Sequence, residues 1–211
     1  MSITIPLDRI EILPGQSLCL HQIDWQKFEA ILTELGEKRR SRIAFYDGTL
    51  EIRMPLPEHE RFKVIIGDLL KILLDHLEME WESLGSTTFK KRSQMAGIEP
   101  DDCFYIRNYR AAVGMKRVDL EIDPPPDLAI EVDLTSKTLV SAYEAIGVPE
   151  IWRCEGGKLT IYLLQNGKYE ESEISAIFPH IPVATLISLY LDKGKTMPMS
   201  AIHREFRREF R

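Results

Sequence analysis

The stretch from Pro124 to Thr138, PPPDLAIEVDLTSKT, constrains this chain more than any other. Three consecutive prolines can neither continue a helix nor sit in a central strand, so they end whatever precedes them. Leu128, Ala129, Ile130 and Val132 then form the short apolar run of a buried strand. Glu131 and Asp133 lie at its far end, and period-two alternation sends both to the same side. Thr135 and Ser136 follow as ready N-caps, which predicts a helix beginning near Lys137. The expected geometry is strand, carboxylate pair, helix N-terminus.

Upstream, Glu99-Pro100-Asp101-Asp102-Cys103-Phe104-Tyr105-Ile106 opens a second strand-like run. An Asp at the start of one strand and Glu-x-(acid or Lys) at the end of its neighbour is the arrangement by which PD-(D/E)XK nucleases hold a divalent ion. More specifically, the chain resembles the Uma2 family of bacterial restriction-endonuclease-like proteins. The matching residues are Pro57-Glu58-His59-Glu60, Pro100-Asp101, Pro126 to Val132, Thr135-Ser136-Lys137-Thr138, and Tyr143 followed by Gly147-Val148-Pro149-Glu150-Ile151-Trp152. Their order and spacing carry the resemblance together, over roughly the middle of the chain.

The resemblance implies an α/β (α+β) fold, a mixed central sheet flanked by helices around a restriction-endonuclease-like core. It implies Mg²⁺ (or Mn²⁺) held by Asp101, Glu131 and the carbonyl of Val132. It also implies a nucleic-acid substrate, DNA in the first instance, and a homodimer. One departure stands out: where the superfamily pattern has Lys after Glu-x, this chain has Asp133. Asp133 is anionic and cannot do the work of a cation. Lys137 is the nearest Lys along the chain and the candidate substitute; a cation in the first turn opposes the helix dipole, so it is either fully solvated or paired with a local anion. Glu60 is a further candidate from the first turn of its helix, facing the metal pocket as in related nuclease folds.

At 211 residues the chain suits a single domain over 1–211, with a core over about 24–175, an N-terminal extended arm and a C-terminal helical segment. A formal charge of −6 gives no global attraction to nucleic acid, so such binding must rest on local basic clusters and metal. Those clusters are Lys38-Arg39-Arg40 with Arg42, Lys90-Lys91-Arg92, and Arg204 with Arg207, Arg208 and Arg211, each read first as a solvated patch. Cys19, Cys103 and Cys154 lack metal-ligand spacing and read as reduced thiols. No apolar run is long enough to span a membrane and the first residues do not form a signal peptide, so a cytoplasmic protein is expected.

In chain order, Asp24 caps an expected helix through Phe28 and Leu35 that Gly36 ends. Asp47-Gly48 between alternating runs predicts a hairpin over 42–54. Phe62, Ile66, Leu69, Leu73 and Leu77 recur at helical spacing after Pro57. Trp81 to Arg92 reads as a strand, Asn108 to Lys116 as irregular, and Arg117 to Asp123, alternating acid with aliphatic, as a half-exposed strand. Two further hairpins follow Trp152, the second at Asn166-Gly167, and extend one sheet; a helix opens at Ile181-Pro182. Asp127 at the far end of the strand from Glu131 is explained by turn chemistry.

The favoured function is a Mg²⁺-dependent endonuclease, since a divalent ion neutralises the charge of a phosphodiester and lowers the pKa of a bound water. The rival is a catalytically weak or inactive nucleic-acid-binding or regulatory module that kept the fold. A two-carboxylate glycoside hydrolase is weaker, because the tryptophans lie where core packing explains them.

Overall fold

The computed structural model describes residues 6–36, 39–132 and 136–210. Its first sheet contains strands β1 (Ser17–Leu20), β2 (Arg42–Tyr46), β3 (Thr49–Arg53), β5 (Phe89–Lys91) and β6 (Ala96–Ile98), in the order β1-β3-β2-β6-β5 and antiparallel throughout. The second contains β4 (Glu82–Ser83), β7 (Asp102–Tyr105), β8 (Leu128–Val132), β9 (Glu150–Glu155), β10 (Lys158–Gln165) and β11 (Lys168–Ser172), in the order β11-β10-β9-β8-β7-β4. Only β8 and β9 run parallel, and that geometry needs the crossover supplied by helix α4 (Lys137–Ile146). The fold is thus mixed α/β, as expected, but it has two sheets where the sequence suggests one.

The remaining helices sort the layers. Helix α1 (Trp25–Leu35) covers the outer face of the first sheet, where Phe28 stacks on Phe45 and packs with Ile43, Leu50 and Ile52. Helix α4 lies between the sheets, its Leu139, Ala142, Tyr143 and Ile146 packed among Ala44, Ile98, Cys103 and Ala129. Helices α2 (Pro57–His76), α5 (Val183–Lys193) and α6 (Met199–Phe206) cover the other face of the second sheet over Leu128, Ile130, Val132 and Trp152. Strand β8 is therefore buried on both faces, which is why it reads as a continuous apolar run.

Local chemistry accounts for most element ends. Asp47 and Gly48 both take positive φ (42° and 78°), the type I′ hairpin turn that only such a pair adopts readily. Asp24 accepts the Lys27 N–H and Ser136 the Leu139 N–H as N-caps. In α2, Gly67 faces β7 so closely that a Cβ there would stand 3.0 Å from Asp102 Oδ2.

Three expectations change. Trp81–Arg92 is not one strand: β4 pairs with β7 and β5 with β6, so the segment passes from one sheet to the other between Ser83 and Phe89. Residues 117–123 form turns rather than a strand. Their acids satisfy local backbone, Asp123 taking the Asp119 N–H (2.8 Å), Asp119 that of Glu121 (3.0 Å) and Glu121 that of Ser93 (2.8 Å). The Asn108–Lys116 segment carries a short helix, α3 (Tyr109–Ala112). Cys103 is a buried free thiol, Cys19 an exposed one, and Cys154 is buried. Among the described residues, no helix is long and apolar enough to cross a membrane.

Candidate active site

Adjacent aspartates open β7, and the pleat sends them opposite ways. Asp102 pairs in register with Ile130 and shares its α2-facing side, where it accepts from Ser83 Oγ (3.0 Å) and burial raises its carboxyl. Asp101 precedes it on the other face, and continuing that antiparallel register sets it across from Glu131. Residues directly opposite in such a pair bring their Cβ atoms to about 5 Å. Asp101 Oδ2 also accepts the Val132 N–H at 2.8 Å, which ties the entry of β7 to the exit of β8. Asp127 ties the other end, accepting the N–H groups of Ile106 (2.8 Å) and Asn108 (3.0 Å) and the Asn108 Nδ2 (3.0 Å), in keeping with the turn role expected of it.

Glu131 is fully buried, and each of its oxygens has a partner. Tyr143, on the buried stripe of α4, donates its hydroxyl to Oε1 at 2.5 Å. Arg53, at the end of β3, donates from Nη2 to Oε2 at 2.7 Å. Burial pushes the Glu131 carboxyl up to about 7; Arg53 pulls against that rise and Asp101 adds to it. Asp101 thus acts on Glu131 within one electrostatic site. Burial works against the charge of Arg53, but Glu131 and then Asp101 hold it protonated above its ordinary range. Burial, and next the Glu131 charge, drives the Tyr143 hydroxyl well above its usual range, so it stays a donor.

A second arginine completes the arrangement. Arg42 Nε lies 3.9 Å from Asp101 Oδ1, and Arg42 Nη2 lies 3.7 Å from Glu60 Oε1. Glu60 also pairs with Lys63 at 3.0 Å and is half exposed. Glu51, two residues before Arg53 on the same face of β3, is buried and accepts from Ser136 Oγ at the N-terminus of α4. Glu51, Arg53, His59, Asp101 and Val132 line one cleft of about 260 Å³. Of the opposed pair Asp101 and Glu131, only Asp101 lines this cleft, with Glu131 buried behind it; two larger concavities, about 650 Å³ beside β10 and β11 and about 720 Å³ beside α1, contain neither. For metal-assisted chemistry, oxygen donors count for more than volume.

Among the described residues, no three of His, Cys, Asp and Glu converge as a metal cluster. Mg²⁺ does not need three: it keeps several waters and takes one or two carboxylates together with substrate phosphate. A carboxylate offers about four lone-pair positions, and Asp101 and Glu131 use only part of theirs. Hard oxygen donors, a cleft and a surplus of buried acid at Glu51, Asp101 and Glu131 fit such an ion.

The sequence-based candidates fall out unevenly. Asp101, Glu131 and Val132 come together, and Glu60 reaches the group only through Arg42. Asp133 lies outside the described residues. Lys137 is exposed at the first position of α4, with no ion pair among the described residues; the cation on Glu131 is Arg53. Arg42, read as part of a solvated patch, is turned inward with a side chain only 12% exposed. Arg53, Glu51 and Tyr143 were missed as site residues. The alternation of Leu50 and Ile52 with Glu51 and Arg53 was the available signal, since it puts both charges on the face opposite the α1 core.

Comparisons with known proteins bear on this geometry. The sequence model of the family described as "Uma2: Putative restriction endonuclease" matches residues 25–191. No curated protein matches the chain. Among solved structures, the chain is similar to the crystal structure of a "putative nuclease belonging to DUF820" from Anabaena variabilis ATCC 29413. The two share 13% identity, with 87% of this chain and 99% of that one covered, at a TM-score of 0.49. The family match spans most of the chain, every strand but β1, and every residue of the acid–arginine group: this protein belongs to the Uma2 family.

Proposed function

We propose that this protein is a divalent-metal-dependent endonuclease that hydrolyses phosphodiester bonds of nucleic acid, DNA in the first instance. The observation that carries the reading is the opposition of Asp101 and Glu131 across the β7–β8 pair, with Asp101 on the wall of a cleft that Glu51 also lines. Family membership supports it. When bound, Mg²⁺ or Mn²⁺ supplies charge neutralisation at the phosphate and a more acidic water. Asp101, Glu131 and the Val132 carbonyl hold the ion. Tyr143 fixes Glu131 in one rotamer, and the Val132 N–H does the same for Asp101. Neither arginine can take up a proton, so they bind and stabilise negative charge and are not bases.

The test is cleavage of plasmid and oligonucleotide substrates in Mg²⁺ or Mn²⁺, with and without chelator, by wild type and Glu131→Gln. Loss on chelation and in the variant, with unchanged melting, is the expected outcome. Full cleavage by Glu131→Gln, or metal-independent cleavage, rejects the mechanism. The rival reading is a non-catalytic nucleic-acid-binding module. It is favoured by one observation: both Glu131 oxygens are already engaged, and no lysine of the described chain joins them. Metal binding by the protein without cleavage of any nucleic acid would establish that reading.

A further inference from the structure

Arg42 and Arg53 are register partners across the β2–β3 hairpin. Like charges directly opposite in a sheet repel, and here neither side chain escapes to solvent, being 12% and 15% exposed. Each is turned instead onto one acid of the candidate site: Arg53 onto Glu131 at 2.7 Å, Arg42 toward Asp101 at 3.9 Å. The contacts leave donors over. A guanidinium carries five N–H donors. Among the described residues, Arg53 makes one hydrogen bond, to Glu131, and Arg42 one, to the Arg40 carbonyl at 3.3 Å. Both Nε atoms are buried with no hydrogen-bond partner among the described residues. Two acids in need of cations thus face two cations in need of acceptors.

We infer that Arg42 and Arg53, whose guanidiniums pair with Asp101 and Glu131, form a phosphate clamp that turns onto phosphodiester oxygens once the acids hold an ion. This rests on the metal-dependent reading above. The planar fork of a guanidinium matches two phosphate oxygens, and such charge-assisted pairs satisfy donors that Asp101 at 3.9 Å leaves open. Arg53 lines the cleft in which a phosphate would lie. The arrangement makes ion and phosphate binding cooperative. Arg53 competes with the ion for Glu131, and its Nη2 is free to complete a fork on phosphate only when it loses that competition. By linkage, phosphate then tightens the ion as much as the ion tightens phosphate.

The experiment uses the full chain as wild type, Arg53→Met, Arg53→Lys and Arg42→Met. One readout is Mn²⁺ binding to the protein alone by calorimetry. The other is fluorescence anisotropy of a labelled DNA duplex with and without Ca²⁺, an oxygen-seeking probe ion. Wild type should bind the duplex at least about tenfold more tightly with Ca²⁺, within the usual range of coupling. Arg53→Met should lose most of that tightening while binding Mn²⁺ several-fold more tightly, its internal competitor gone. Arg42→Met should lose tightening and reduce the salt slope of duplex binding by about 0.9, one phosphate contact. Arg53→Lys keeps the charge and the packing, so it guards against misfolding. It should bind Mn²⁺ much as wild type does yet lose most of the Ca²⁺ effect, because an ammonium is not a fork. Weaker Mn²⁺ binding in Arg53→Met with the Ca²⁺ effect intact would overturn the clamp and leave the arginines as structural counter-ions. In that case the nuclease reading survives. Failure of wild type to bind Mn²⁺ or Ca²⁺ would overturn both.

Discussion

Replacing Tyr143 by Phe removes one hydroxyl from the fully buried contact with Glu131 Oε1 and changes almost nothing in shape. The cost depends on the protonation of its partner. A neutral hydrogen bond contributes about 0.5–1.5 kcal/mol and one to a charged group about 1.5–3 kcal/mol. Glu131 titrates at about 7, above its ordinary 4.5. That raised carboxyl adds stability below its unfolded value and loses it as pH rises through about 7. Tyr143 opposes this loss, because its donation favours the carboxylate. The variant should therefore be mildly destabilised near pH 6 and more so near pH 9, by roughly a further 1 kcal/mol. That difference of about 1 kcal/mol also moves Glu131 ionisation up by roughly 0.7 of a pH unit. The pH midpoint of Mn²⁺ binding should rise with it. Urea denaturation of the metal-free protein at the two pH values, with a parallel Mn²⁺ titration, measures both effects. An equal loss of stability at both pH values, with an unmoved Mn²⁺ midpoint, would mean that Tyr143 does not bond the carboxylate and that the described coupling is wrong.

Other perturbations probe the scaffold and the remaining candidate. Asp127→Ala strands the N–H groups of Ile106 and Asn108 and should cost about 2–4 kcal/mol in urea unfolding, while Asp127→Asn recovers part of it. Gly97→Ala places a Cβ 2.7 Å from Phe28 Cζ between the first sheet and α1, and overpacking there should lower stability by about 1–3 kcal/mol by the same assay. Lys137→Met, at an exposed position without an ion pair among the described residues, should stay within about 0.5 kcal/mol of wild type and leave the Mn²⁺ isotherm unchanged. A tenfold weaker isotherm would return Lys137 to the site.

The carboxylates were legible because their signals are local. Pro100-Asp101 and Pro126 to Glu131 each carry strand and acid within a few residues, and the period-two rule then orders them. The same locality made the Asp47-Gly48 hairpin and the Ser136 cap readable. The counter-ion was not legible, because Arg53 meets Glu131 across 78 residues of sequence and nothing near either residue names the other. The nearest cation along the sequence, Lys137, is exposed in space and does not serve as that counter-ion. Residues 117–123 misled for a different reason: alternating acids mimic a strand's wet face when each acid is in fact capping nearby backbone. The division into two sheets was hidden because short strands such as Glu82–Ser83 have too little pattern to declare a partner.

The two sheets supply opposite halves of the acid–arginine group. Glu131 and Asp101 belong to one, while Arg42, Glu51 and Arg53 belong to the other, and Ser136 is bonded to Glu51 across 85 residues. Any ion or phosphate that binds there binds the closed molecule alone, and so acts as a latch between the sheets. At a hundredfold excess over its dissociation constant, such a ligand adds about 2.7 kcal/mol to that closure. A domain of this size has only about 5–15 kcal/mol to lose. Opening the seam between the sheets would part Glu131 from its guanidinium and Asp101 from Arg42 at once, so a chain with loosened tertiary structure carries no partial version of the site.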